Sequence, residues 1–580
     1  DSTAGLVEAY DNSTIRFNNA HMYRGELATY DSGRFLSVGN VTLEDVFLAG
    51  RWDIPSSSQG NYLRGELDLY GTINLMSAGN DTYLRPAEDV TIFGIGEIVM
   101  SNQTRNFIYA LSGPHVFTIN GPTIRGSGWI GQADLEIHNN GLILANQSQV
   151  LAVWPSAGGC TNNTIMRADG GNLTLTSGTF TNNGLIESIN NGRVRLTNCA
   201  VNGGTLMDDG VGFFLVAGNP PTLRDLTLAA RLDIPNALTC YVAGTVTNEG
   251  LIQVNSAGSN TYLRHFGNTT LTGSGEVVLS NNSHNWVYGF AANDLLTIDC
   301  TLRGTGNLGV DVSRILNTGT IIAEGSGLVI DPAAQGFDNQ GDLIAATTLT
   351  LAPGPFTTSG NVTVNSGATL TRTSGGNYTQ TGGSTVVDGT LVAGSVTIDG
   401  GVIGGDGLID LSVTNNAGTL AGGTSPNGLT IDGDYSQEPG AATSIVFGDG
   451  FHDNVTVNGT AYLSGALALA LADGYTPAPA SAFIVLSAAA IEGDFDSVTF
   501  TNLPAAVSYS VNRTETAVGV VFGSGCEGDT NGDNMVNFTD LNRLLDNWGT
   551  AGPVGDVNGS GAVNFEDLNL LLDNWGADCN

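Results

Sequence analysis

The chain has 580 residues and a formal net charge of −36, and all 19 of its basic side chains are arginine. Glycine supplies 81 residues, while charged residues make up only 13%. This composition excludes nucleic acid and anionic membrane surfaces as partners, because no basic patch is available to neutralise phosphates. No apolar run reaches the roughly 20 residues that span a bilayer. The absence of a leader before Asp1 is what we expect of a mature secreted chain, extracellular or at a cell surface.

Short strand patterns separated by Gly, Asn, Asp and Ser fill the chain up to about residue 540. One strand-opening pattern, Asn-x-Gly, recurs at spacings close to multiples of about 22, which is the length of one coil of a β-solenoid. Its glycines are Gly141, Gly184, Gly250, Gly319 and Gly341. In such a fold the aliphatic residues form inward ladders, and Gly or Asn provides positive φ at the corners. Residues 1–399 are therefore predicted to form an all-β, right-handed parallel β-helix.

A longer duplication lies on top of the coil period, because residues 8–131 match residues 187–309. Ser77-Ala-Gly-Asn-Asp-Thr-Tyr-Leu-Arg85, for example, matches Ser256-Ala-Gly-Ser-Asn-Thr-Tyr-Leu-Arg264. Residues kept in both copies are expected to hold corners and ladders, since an enzyme needs one cleft and not two.

The sequence pattern changes at about residue 400. Residues 423–437, 452–467 and 493–498, in the segment 400–522, resemble the C-terminal coils of autotransporter-type passenger β-helices and related secreted bacterial solenoids. The resemblance implies that this segment ends the β-helix, and that the protein has an adhesive or surface-layer role.

Residues 526–580, the C-terminal module, contain two copies of an oxygen-rich loop that start at Asp529 and Asp556. Oxygen side chains at positions 1, 3, 5, 9 and 12, with a backbone carbonyl at position 7, suit a hard cation. The ligands expected in the first loop are Asp529, Asn531, Asp533, the Met535 carbonyl, Asn537 and Asp540. Those expected in the second are Asp556, Asn558, Ser560, the Ala562 carbonyl, Asn564 and Asp567. Two Ca²⁺ ions are predicted, with the second bound more weakly because Ser560 replaces a carboxylate.

Each loop continues into Leu-Asn-x-Leu-Leu-Asp-Asn-Trp-Gly, an apolar helix stopped by glycine. An aspartate at position 12 followed by a single helix resembles the type I dockerin module. The resemblance implies non-covalent docking onto a cohesin-like module. Positions 10 and 11, which select the partner in that family, are Phe538-Thr539 and Phe565-Glu566 and depart from the usual hydroxyl residues. The alternative is a module that folds around calcium only as a stable terminal cap.

The six cysteines suit an oxidising compartment. Cys526 and Cys579 bracket the C-terminal module, where a disulfide would join its ends. Cys160, Cys199, Cys240 and Cys300 have no spacing that assigns a pairing.

Two acidic groups are candidates for chemistry. Asp208-Asp209 precedes a glycine and favours a turn, while Asp134, Glu136 and His138 alternate along a predicted strand and would share one face as a catalytic or metal triplet. No histidine has zinc-ligand spacing, and no nucleophile elbow occurs.

The sequence favours a non-enzymatic structural or adhesive solenoid. The C-terminal module would fix it to a cohesin-like scaffold, or to a neighbouring copy in a fibre or surface layer. One alternative is a dockerin-borne polysaccharide lyase or glycoside hydrolase, which requires a single-copy acidic cleft in residues 130–186 or 310–420. Another is a carbohydrate-binding solenoid, which requires exposed aromatic residues in a row.

Overall fold

The computed structural model describes residues 5–292, 294–478, 480–504, 507–524, 527–531, 533, 535–551, 554–558 and 560–577. Over these residues the chain forms an all-β parallel β-solenoid of about 22 turns, with two short α-helices in its C-terminal part. The predicted solenoid is thus confirmed. The chain divides into two compact units, residues 1–335 and 336–580. None of the described helices has the length and apolar character needed to cross a membrane.

In the first unit, each strand pairs in parallel with a strand of the next coil. Leu6–Ala9 pairs with Ala20–Thr29, which pairs with Val41–Leu48 and so on to Asn61–Leu69. Because side chains alternate across a strand, one set points inward and is buried: Val41, Leu43, Val46 and Leu48 in one strand, and Leu63, Leu67 and Leu69 in another. These residues form the continuous aliphatic core that the sequence predicts.

The recurrent glycines have a different cause from the one inferred from the sequence. Gly141 and Gly184 do not have positive φ, although positive φ occurs at other corners such as Asn190. A Cβ at Gly141 would lie 2.2 Å from the carbonyl oxygen of Pro122, and one at Gly184 would lie 2.1 Å from that of Thr164. Close approach of the backbone of the preceding coil therefore requires glycine at these two positions.

The asparagines of the same motif form a buried ladder. Asn139 donates from Nδ2 to Oδ1 of Asn162 at 2.7 Å, and Asn162 donates in the same way to Asn182 at 2.7 Å. All three side chains are buried. The stacked side-chain amides therefore hydrogen-bond to one another across three coils. This pairing allows a column of polar side chains to lie in the interior.

Both copies of the duplication place an arginine and an aspartate at the same corner. The strands Arg51–Pro55 and Arg231–Pro235 each have an exposed arginine followed by three buried residues. Asp233 accepts hydrogen bonds from Nε and Nη2 of Arg231, both at 2.8 Å. These shared residues hold the coil together, as expected of side chains that occur in both copies.

In the second unit, parallel pairing continues to Ala466–Leu471 and Ser497–Thr501. The last strands are antiparallel: Ala517–Ser524 pairs with Ala482–Gly493 on one side and with Val507–Arg513 on the other. Antiparallel strands over the final coil pair backbone groups that a bare solenoid end would leave open. The helices α1 (Phe538–Asp546) and α2 (Phe565–Asp573) follow.

Candidate calcium-binding module

The C-terminal module has its own small apolar core. Val536, Leu544, Val563 and Leu571 are buried together, and each repeat contributes one valine from its loop and one leucine from its helix. Because the core is shared, neither repeat can bury its apolar residues without the other.

Both helices begin at loop position 10, three residues before the first leucine of the apolar pattern. Asn537 and Asn564 are their N-caps, and each Oδ1 accepts the backbone N–H two residues on at 2.7 Å. Asp540 Oδ2 accepts the N–H of Asn537 at 2.9 Å, and Asp567 Oδ2 accepts that of Asn564 at 2.8 Å, which completes a capping box in each repeat. These asparagines, predicted only as ligands, are therefore also helix caps, and the spacing Asn-x-x-Asp is the signal in the sequence for that role.

Each loop is also joined to the segment that follows the other helix. Val536 N donates to Ala577 O at 3.1 Å, and Gly576 N donates back to Val536 O at 2.8 Å. The equivalent Val563 N donates to Thr550 O at 3.1 Å. The loop of each repeat is thus hydrogen-bonded to the segment after the helix of the other repeat, and the two contacts are equivalent.

In the first loop, Asp529, Asp533 and Asp540 converge. Each offers a carboxylate oxygen, and these oxygens lie within 4.8 Å of one another. Within the described residues this is the one group of three or more acidic, histidine or cysteine side chains that meets this criterion. Like charges brought this close repel unless a cation neutralises them, and an all-oxygen set suits Ca²⁺ better than zinc.

Hydrogen bonds arrange the remaining ligand positions of this loop. Asn531 Oδ1 accepts the N–H of Asp533 at 2.8 Å, and Asp540 Oδ1 accepts the N–H of Asn531 at 3.0 Å. The Met535 carbonyl accepts Nδ2 of Asn537 at 3.3 Å. All six predicted residues thus lie in one hydrogen-bonded loop, and their donor atoms fit a hard cation.

The second loop repeats this pattern. Ser560 N donates to Asp556 Oδ1 at 3.0 Å and to Asn558 Oδ1 at 2.9 Å, and Asn558 N donates to Asp567 Oδ1 at 3.0 Å. The carbonyl of Ala562 accepts the amide of the position-9 asparagine at 3.0 Å. Its backbone therefore matches that of the first loop, while only two of its predicted ligands are carboxylates.

Exposed aromatic residues flank both loops. Phe538 is 69% exposed, and its ring packs edge to face on Trp575 with centroids 5.4 Å apart. Phe565 is 70% exposed and packs in the same way on Trp548 at 5.0 Å. Each pair joins the start of one helix to the end of the other, so the module presents two equivalent apolar surfaces.

The predicted disulfide partners Cys526 and Cys579 lie outside the described residues. The other four cysteines are free and buried, and burial raises the pKa of the Cys160 thiol to about 12. A thiol with so high a pKa is unreactive at neutral pH.

The acidic candidates in the solenoid hold turns. Asp208 accepts the N–H groups of Gly210 at 2.9 Å and Arg231 at 2.7 Å. Asp209 accepts three backbone N–H groups, and those hydrogen bonds lower the pKa of its carboxyl. The predicted turn role of this pair agrees with these contacts.

Glu136 and His138 do share a strand face, with Oε1 and Nε2 2.9 Å apart. Asp134 lies outside that strand, Leu135–Asn139, and its N–H is bonded to Gly131 O at 3.0 Å. Within the described residues, these three side chains do not form a group close enough to bind a metal ion together.

A shallow groove of about 520 Å³ crosses successive corners of the second unit. Its polar lining includes Thr369, Asp388, Thr390, Asp406 and Asn427. Asp388 Oδ1 accepts the N–H of Asp406 at 3.2 Å, so this carboxylate also ties one coil to the next. The groove lies outside the duplicated coils, and its acidic residues fall in the segment 310–420, where the enzyme alternative requires a cleft.

No protein-family model matches the chain, and no match is found among curated proteins.

Proposed function

We propose that this chain is a secreted, non-enzymatic structural or adhesive protein, with a right-handed β-helix held in place by a calcium-dependent, dockerin-like module. The observation that carries the proposal is the convergence of Asp529, Asp533 and Asp540 in the first of two equivalent loops. The resemblance to type I dockerins agrees with a loop that is followed by one capped helix.

Calcium has a structural task in this proposal. When bound it would neutralise the carboxylates of each loop, which are otherwise held together against their mutual repulsion. The loop carries the N-cap of its helix and the valine that packs in the shared core. Ion binding is therefore expected to favour the folded module, as in other small metal-binding domains.

The partner is a cohesin-like module or a second copy of the chain. The exposed Phe538 and Phe565, each backed by a tryptophan, offer the apolar contact area that such a partner would cover. In a self-assembling protein, these surfaces would join neighbouring copies into a fibre or surface layer.

The contacts of the solenoid support a structural role. Asp208 accepts the backbone N–H of Arg231, and Asp209 accepts that of Asn190, so each carboxylate joins its own coil to a neighbouring one. Side chains used in this way hold the coils in register.

Negative-stain microscopy of the full chain, in millimolar calcium and then in excess chelator, tests the proposal. We expect filaments or lattices that disperse on chelation. The combined Asp529→Asn and Asp556→Asn variant should behave in calcium as the unmodified chain does in chelator. Asp546→Asn with Asp573→Asn is the control, since it removes the same charge from exposed helix ends. Assemblies indifferent to calcium and to both variants would contradict the proposal.

The groove at Asp388 and Asp406 favours a second candidate, a polysaccharide-active β-helix. Glycoside hydrolases use a pair of carboxylates, and both of these aspartates line one groove. A screen of polysaccharides with the full chain and its Asp388→Asn and Asp406→Asn variants distinguishes the two candidates. Turnover abolished by either variant would establish the enzyme.

A third candidate, a carbohydrate-binding solenoid, is favoured by stacked aromatic residues on the first unit. Tyr10 and Tyr30 are exposed and stacked with centroids 5.1 Å apart. Tyr241, Phe266 and Phe290 follow one another at 4.8 and 5.0 Å. Binding of soluble polysaccharide that is lost in Tyr10→Ala and Phe290→Ala, without turnover, would identify this function.

A further inference from the structure

The position-3 asparagine of each loop is held by a carboxylate, but not by the same one. In the first loop, Asn531 donates from Nδ2 to Oδ2 of Asp533 at 3.0 Å. Asp533, at position 5, therefore offers a charge to the ion and fixes the neighbouring amide. With Nδ2 tied in this way, Oδ1 of Asn531 is the atom left for the ion.

The second loop has Ser560 at position 5, and this hydroxyl lies 3.4 Å from the carbonyl of Ala562. Here Nδ2 of Asn558 donates instead to Oε2 of Glu566 at 3.3 Å. Glu566 occupies position 11, in the first turn of α2. Its own N–H is bonded to the N-cap Asn564 at 2.7 Å, so its backbone is fixed beside the loop.

We infer that Glu566 is a positioning residue of the second calcium site, where it replaces the carboxylate that Ser560 lacks. This inference rests on the calcium binding proposed above. It gives the two loops equal charge, with Asp529, Asp533 and Asp540 in one and Asp556, Glu566 and Asp567 in the other. Position 11 of the first loop is Thr539, which carries no charge. The third carboxylate is thus at position 5 in the first loop and at position 11 in the second.

Two consequences follow. The second site is expected to bind calcium about as well as the first, whereas Ser560 alone predicts weaker binding. The departure of position 11 from the usual hydroxyl residue also has a local cause, because this side chain serves the ion site and is not free to select a partner.

Calcium titration of the full chain, by calorimetry and by competition with a chromophoric chelator, tests the inference. The unmodified chain should bind two ions with similar affinity. Glu566→Gln should weaken one site roughly tenfold, the size of effect seen when an outer-shell carboxylate is removed, and leave the other unchanged. Adding Ser560→Asp to this variant should restore the lost affinity. Glu515→Gln removes the same charge from an exposed turn and is the control.

Thermal unfolding in chelator separates positioning from a purely structural role. Glu566→Gln should unfold at the same temperature as the unmodified chain without calcium and at a lower temperature with it. Unchanged affinities in Glu566→Gln, or an equal loss of stability in chelator, would overturn the inference while calcium binding stands. Failure of the unmodified chain to bind calcium would overturn the proposed function itself.

Discussion

Nε of Arg51 lies 2.7 Å from Oδ1 of Asp53, an aspartate whose side chain is completely buried. Asn74 donates to the same Oδ1 from Nδ2 at 2.9 Å, and Arg34 Nη1 lies 3.4 Å from Oδ2. Three donors from three coils thus surround one buried charge. A buried carboxylate is stable only while such donors are present.

Arg51→Ala should therefore destabilise the first unit by about 3 kcal/mol, because it leaves Asp53 with weakened compensation. Denaturant unfolding followed by circular dichroism measures the loss. Asp53→Asn in the same background should recover part of it, since the buried charge is gone. The exposed Arg16→Ala is the control, and an equal effect from that variant would contradict the argument.

Two adjacent leucines of α1 provide a matched pair in the C-terminal module. Leu544 is fully buried in its core, whereas Leu545 is 49% exposed. Leu544→Ala should cost about 3 kcal/mol, and it should weaken the proposed calcium binding because such binding is expected to be coupled to folding. Leu545→Ala should change stability by less than about 0.5 kcal/mol. Tryptophan fluorescence during calcium titration checks both, and similar behaviour of the two variants would contradict this account of the core.

His265 should make the stability of the first unit depend on pH. Its Nε2 lies 2.7 Å from Ser313 Oγ, its Nδ1 lies 3.0 Å from Gly267 O, and burial lowers the pKa of the imidazole. Folding therefore favours the neutral ring. The contribution of His265 to the free energy of unfolding is complete above the pKa of about 6.5 that the ring has in the unfolded chain. It is lost as the pH falls from there through the lowered pKa of the folded state.

Unfolding near neutral pH and at about pH 5 should show this loss in the unmodified chain and a smaller one in His265→Gln. His284→Gln, at an exposed position, should keep the full dependence. Identical pH dependence in all three chains would show that the charge of His265 has no part in it.

Asp453 should have the opposite dependence in the second unit. Burial raises the pKa of its carboxyl to about 6, and nearby Asp406 adds to the increase, although the N–H of Val446 donates to its Oδ2 at 2.9 Å. The protonated form is favoured by folding. The contribution of Asp453 to the free energy of unfolding is complete below the pKa of about 3.9 that its carboxyl has in the unfolded chain. It is lost as the pH rises through the folded-state pKa of about 6.

Asp453→Asn should therefore stabilise the protein by about 1 kcal/mol above neutral pH, a value reduced for partial solvent screening, and should have little effect in acid. The amide oxygen can still accept the N–H of Val446. The exposed Asp449→Asn is the control, and denaturant midpoints across this pH range provide the measurement. A destabilised Asp453→Asn at neutral pH would contradict the prediction.

The solenoid could be predicted because every coil repeats the same short sequence pattern at a nearly constant spacing. Recurrent glycines such as Gly141 and Gly184 mark the coil length directly. Their physical role could not be read in the same way, since positive φ and close backbone approach both require glycine. Only the position of the neighbouring coil, with the Pro122 carbonyl 2.2 Å from the place of a Cβ on Gly141, distinguishes the two.

The two oxygen-rich loops could be located for a similar reason, since their oxygen-bearing residues recur at fixed positions in one short segment. The link from Asn558 to Glu566 was missed because a long side chain can point toward a loop or toward solvent at the same sequence position. The packing of Phe538 on Trp575 was also missed, because the two residues belong to different repeats and meet only when both helices are in place.

The pairing of Val536 with Gly576 and Ala577 also sets an order of events during synthesis. The two hydrogen bonds of Val536 cannot form until residues 576 and 577 have left the ribosome, although the acidic residues of the first loop emerge earlier. By then the strands of the solenoid have already been made and are free to stack. The C-terminal module therefore completes its fold only after the strands of the solenoid have been made, and a nascent chain interrupted before residue 576 would lack the pairing between the two repeats.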